Sequence, residues 1–184
     1  MKRTIVTPLL FLSLMTCCAP AGAHEFIAST TGKTTIKLLT TSVVTVNGGK
    51  TIECTGASLI GGAVKTTKSL SITSTTQFEK CKAFGLAATV SLVKATSTAD
   101  GSVSLLQTVT VTATGCTATF PSAKNQGLST ITYRNTNKEI EKLASIKNIT
   151  SSGTGASCTY AEESSGTFKG DALVGLVSGT LEWK

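Results

Sequence analysis

The sequence predicts an all-β fold, an antiparallel β-sandwich or barrel of about ten to twelve short strands stapled by disulfides. Three observations carry that expectation. Threonine is the commonest residue, with 34 among 184 positions, and it alternates with valine and isoleucine as half-buried strands require. Gly, Asn and Asp punctuate these runs while helix signals are few. The cysteines downstream of the leader form an even set in a chain that reads as exported, the setting in which disulfides form.

The leader comes first. Met1-Lys2-Arg3 is basic, an apolar run follows to Met15, and Ala21-Gly22-Ala23 is an A-x-A cleavage pattern. The apolar run is shorter than the roughly 20 residues that span a bilayer, and nothing later is longer. Residues 1–23 are therefore expected to be a signal peptide and 24–184 a single β domain, secreted or held in the cell envelope. A lipid tether is the alternative, because Leu14-Met15-Thr16-Cys17 is a weak lipobox ending at Cys17. Cleavage removes Lys2 and Arg3 and so lowers the net charge of +7 by two. It also leaves four cysteines, Cys54, Cys81, Cys116 and Cys158. No C-x-x-C pair occurs among them, so a zinc site is not expected. Four cysteines allow three connectivities; Cys54–Cys81 with Cys116–Cys158 is favoured because each joins sequential segments.

Strands are expected near 25–29, 34–39, 42–46, 51–55 and 69–78. After a central hairpin they resume near 128–134, 139–150, 158–162, 166–169, 172–176 and 180–183. The stretch 137–147 is ambiguous. Ile140, Leu143 and Ala144 sit at helical spacing with Asn137 as an N-cap, whereas Ile140, Ala144 and Ile146 fit period two; strand is the reading adopted.

The central hairpin, between Cys81 and Phe120, organises the chain. Asp100-Gly101 suits a two-residue type I′ turn, which needs φ > 0 at both positions. That turn sets Leu92 opposite Val109, Val90 opposite Val111 and Ala88 opposite Ala113. Thr89 then meets Thr112 on the other face. A slip of one residue would mix the faces. Past Thr114 the apolar positions change parity, which suggests a bulge or corner at Gly115. A second turn, Asn47-Gly48-Gly49, sets Val44 opposite Ile52 and Ser42 opposite Cys54, so that Val44, Val46, Ile52 and Cys54 share one face.

Several chemistries are disfavoured. The one histidine, His24, would become the mature N-terminus, where copper could be held only with a second histidine. With His24 the one histidine and expected at the mature N-terminus, Ser-His-Asp and Cys-His systems are not expected either. No phosphate-binding or calcium loop occurs. Arg134 is the one arginine left after cleavage, and basic residues do not cluster with stacking aromatics, so nucleic acid is not an expected partner. A mild attraction to acidic cell-envelope polymers is as far as the charge goes. No cofactor or metal is expected. Glu139 and Glu141 are spaced for a carboxylate pair on one strand face, against a plain reading as a solvated face among Lys138, Lys142 and Lys147. Thr108, Thr110, Thr112 and Thr114 form a ladder with Thr89 opposite. It is a possible binding surface for ice or carbohydrate, or an ordinary exposed β face.

Several short segments also carry a resemblance. These are His24-Glu25-Phe26, Thr51-Ile52-Glu53-Cys54, Cys81-Lys82-Ala83-Phe84-Gly85, Asp100-Gly101, Gly115-Cys116-Thr117, Gly166-Thr167-Phe168-Lys169-Gly170 and Gly179-Thr180-Leu181-Glu182-Trp183. Over nearly its whole length the chain resembles a group of uncharacterised exported Thr-rich β proteins of soil actinobacteria. The resemblance implies export and a β fold, and no activity or site residue. In composition the chain is also similar to the neocarzinostatin-type apoproteins, small two-disulfide sandwiches that hold a chromophore. The expected function is that of an exported non-enzymatic β protein, in extracellular binding or associated with the envelope. The alternatives are a small-ligand carrier with a cavity between its sheets and a glycan-active enzyme using Glu139 and Glu141.

Overall fold

A computed structural model describes residues 23–46, 49–122, 128–156 and 158–184. The leader up to Gly22, Cys17 included, and Asn47-Gly48 of the second turn lie outside the described residues. The strands are β1 (Phe26–Ala28), β2 (Gly32–Leu38), β3 (Ser42–Val46), β4 (Lys50–Val64), β5 (Lys68–Ser69), β6 (Ser71–Ala83), β7 (Leu86–Val90) and β8 (Val93–Thr98). They continue as β9 (Val103–Leu105), β10 (Val109–Ala113), β11 (Cys116–Phe120), β12 (Leu128–Asn135), β13 (Ile140–Thr154), β14 (Tyr160–Leu176) and β15 (Leu181–Trp183).

Every strand pairing is antiparallel. The sheet closes on itself: β3–β4–β6–β7–β10–β11–β13–β14 and back to β3 is an unbroken ring of eight ladders. Of the two expected architectures the structure is thus the barrel. Closure removes the free edges that an open sheet must protect. At the other level of the barrel β2, β8, β9 and β12 stand in for β3, β7, β10 and β11. Among the described residues no ladder joins β9 to β12 there. The Tyr133 hydroxyl spans that seam, donating to the Thr98 carbonyl at 2.9 Å.

Both ends are packed. At one, β1 pairs with β15 and β5, and Phe26 and Leu181 are fully buried with Ile72, Ile131 and Ile140. Trp183 stacks on His24 and donates its indole N–H to the Ala99 carbonyl. At the other end lie both disulfides, with the favoured connectivity: Cys54–Cys81 across facing positions of β4 and β6, and Cys116–Cys158 from β11 to the segment before β14. Outward positions carry residues such as Lys33, Lys37, Glu53, Thr55, Lys82 and Lys94, all exposed. That is the reverse of the apolar-out pattern of a membrane-spanning barrel. No helix among the described residues is long and apolar enough to cross a membrane.

The second turn's register is as expected, with Val44 opposite Ile52 and Ser42 opposite Cys54. The central hairpin keeps its outer register: Val90 faces Val111, Thr89 faces Thr112 and Ala88 faces Ala113. Its tip differs. Ala95 faces Leu105 and Ser97 faces Val103, one residue out of step with the outer half. The loop is a three-residue one. Gly101 N–H bonds the Thr98 carbonyl, Thr98 N–H bonds that of Ser102, and only Gly101 has positive φ, at 93°. The type I′ assignment is therefore wrong, and a type I turn closed by a left-handed glycine replaces it.

The two registers meet at a bulge. Inward positions are Ala88 and Val90 before Ser91-Leu92, but Val93, Ala95 and Ser97 after it. This turns Leu92, expected in the core opposite Val109, out to 37% exposure. β6 makes the matching switch around Lys80, at φ 52°. Gly115 is also corrected: Ala113 pairs with Cys116, so Thr114-Gly115 is a hairpin turn, and the change of parity is what a reversal of direction produces. Several strands outrun expectation, among them β4 and the continuous β14, read as three pieces from sequence. The ambiguous stretch is strand β13.

Candidate ligand-binding cavity

An eight-stranded barrel has an interior just wide enough to be filled by side chains or to hold one small ligand. Here the middle is not filled. Between the two packed ends is a cavity of about 220 Å³ whose walls draw on β2, β3, β4 and every later barrel strand. Val44, Phe78, Val93, Leu105, Ile146 and Phe168 line it and are only partly buried, although they point into the barrel, because their surface faces this space. Small inward residues keep it open. Ala95 and Ser74 face each other on β8 and β6, and Gly170 lies on β14. At Gly170 a Cβ would lie 3.1 Å from the Phe168 ring and 2.9 Å from Ser42 Oγ.

One charged group enters this apolar space. β13 alternates so that Ile140, Lys142, Ala144 and Ile146 point inward while Glu141 points out. Lys142 lies between Tyr133 on β12 and Ala172 on β14. Its ammonium donates to Ser97 Oγ at 2.7 Å, the one acceptor it finds among the described residues. The lining contains no Asp or Glu. Burial alone pulls the Lys142 pKa down from 10.5 to about 8, because the charged form has lost its water. Burial likewise raises the Tyr133 phenol above its usual value, with the Ser97 hydroxyl opposing. Asp100, in the loop beyond, is held below the usual carboxylate range by hydrogen bonds from the Thr98 hydroxyl and Ser102 N–H.

The residues singled out from sequence sit elsewhere. Glu139 lies in the turn before β13, its side chain over Gly175, and Glu141 lies on the outer face with its carboxylate 3.5 Å from Arg134 Nη1. Both have outward parity, Glu139 just before the strand begins, and neither lines the cavity. Thr108, Thr112 and Thr114 are exposed and Thr110 half-buried on the outside of the barrel, with Thr112 opposite both Thr89 and Thr117. Cys54, Cys81, Cys116 and Cys158 are all in disulfides. Among the described residues no three His, Cys, Asp or Glu gather to hold a metal ion. A second hollow, on the outer face between Thr40, Thr132 and Asp171, is walled by solvated groups and holds no buried charge.

Lys142 is the residue that sequence reasoning missed, having grouped it with the surface lysines around Glu139 and Glu141. The signal was present: Lys142 has the parity of Ile140, Ala144 and Ile146, so a strand that turns those inward must turn Lys142 inward too. No family model, curated protein or solved structure matches the chain.

Proposed function

We propose that this is an exported, non-enzymatic carrier that holds one small, mostly apolar molecule inside its barrel. The observation that supports the reading is the apolar cavity inside the barrel with convergent polar groups at one point of its wall. A cavity of 150 Å³ lined by aliphatic and aromatic groups takes up benzene, so 220 Å³ suits a molecule of roughly ten non-hydrogen atoms. The disulfides and the leader fit an extracellular setting, and no carboxylate lines the cavity.

The test is calorimetric titration with naphthalene and indole. Saturable uptake of one molecule per chain, with a negative heat-capacity change, is expected. Ala95→Leu, which fills part of the space, should weaken uptake by about tenfold or more without lowering the melting temperature. Absence of uptake by the wild type, or equal uptake by the filled variant, would sink the carrier reading.

A further inference from the structure

Building on the carrier reading, we propose that the ligand is a small apolar monocarboxylate whose head group pairs with Lys142 Nζ inside the barrel. Lys142 is a lone cation with no acidic group beside it in the cavity wall. Its ammonium has three N–H donors, and Ser97 Oγ accepts from one. Two donors remain for a ligand oxygen. An isolated buried charge is unfavourable, and an anion brought against it relieves that cost while satisfying the spare donors. Around this point the walls are apolar: Ile131, Ala144 and Ala172 flank Lys142, and Ile146 and Phe168 lie further along. The site thus offers one charged contact and an apolar chamber, which matches an acid with a hydrocarbon body. A single ammonium and one hydroxyl suit one negative charge. A phosphate monoester, carrying about two and needing more donors, finds no arginine or second lysine in the lining.

Octanoate, 1-octanol and octylamine share a hydrocarbon body and differ at the head, so they separate cavity from charge. In calorimetric titrations at pH 7 the wild type should bind octanoate about tenfold or more tightly than octanol, and octylamine least of all. Lys142→Met keeps the side chain's length and its apolar stem. It should bind octanol within about threefold of the wild type and lose the preference for octanoate. Equal binding of octanoate and octanol by the wild type, or an octanoate preference that survives Lys142→Met, would overturn the head-group assignment while leaving the carrier reading in place. Failure of all three to bind would overturn both. Ser97→Ala supplies a second variant with the lysine intact: octanoate should weaken several-fold, and octanol should be unchanged.

Discussion

Replacing Lys142 with methionine removes a charge from the middle of the barrel while nearly conserving shape. Its effect on stability should depend on pH in a definite way. Below pH 8 the lysine is charged in both states, so the folded chain bears the whole desolvation cost. As pH rises through about 8 the folded lysine gives up its proton, whereas the unfolded one, with the ordinary value of 10.5, keeps it. The unfolded state then binds more protons, so stability rises with pH. Between pH 7 and 9.5 the gain is about 2 kcal/mol. The methionine variant has no such group. At pH 7 it should be more stable than the wild type by about 1–4 kcal/mol, and the gap should close as pH rises. Tyr133 and Tyr160 act in the opposite sense, since burial raises both: the stability they contribute is complete below about pH 10 and lost above it. Melts should therefore stop at pH 9.5. Urea midpoints for both proteins across this range, at constant m, measure the difference directly. A wild-type-minus-variant difference flat from pH 7 to 9.5 would mean that the ammonium keeps its water, and that the cavity is wet rather than apolar.

Val111 is buried and Thr110, beside it in β10, faces outward. Val111→Ala should cost about 1–3 kcal/mol and Thr110→Ser under about 0.5; equal costs in denaturant melts would mean that the faces are assigned wrongly. Gly101 has φ 93°, and a Cβ there would lie 2.7 Å from the Ile131 carbonyl oxygen. Gly101→Val should therefore cost about 2 kcal/mol or more by the same melts, exceeding Thr110→Ser. Removing Cys54–Cys81 should cost about 3.5 kcal/mol and removing Cys116–Cys158 about 4, following their loop lengths of 27 and 42 residues. Intact mass before and after reduction with alkylation should show four cysteines that become reactive only on reduction, and thiols free beforehand would contradict the pairing.

Local pattern made the fold class, the disulfide pairs and two registers legible in the sequence. Asp100-Gly101 predicted the wrong turn and yet the right outer pairing. The three-residue loop shifts the tip by one residue, and the bulge at Ser91-Leu92 restores the register. Closure was not legible. It rests on β14 returning to β2 and β3, pairings more than a hundred residues apart in the chain, and period-two alternation carries no information about which edge meets which. The cavity was not legible either. An inward Ala or Gly reads as a weak strand position, and only the barrel's diameter turns several of them into empty space. Lys142 was misread because charge was weighed before parity.

An empty interior is a burden that the rest of the molecule must offset. A hollow middle buries less apolar surface than a packed one, and the ammonium turned into it adds its own desolvation cost. The two disulfides together offset about 7.5 kcal/mol, and both lie at one end of the barrel. The β15–β1–β5 sheet with its aromatic cluster braces the other. Stability is thus concentrated at the ends, and the middle can stay hollow without collapse because eight mutually bonded strands set the barrel's width whatever lines it. A ligand that fills the hollow and pairs with Lys142 would return part of both costs. It would stabilise the folded state in proportion to the logarithm of its concentration. The same residues that weaken the core therefore define what it can hold.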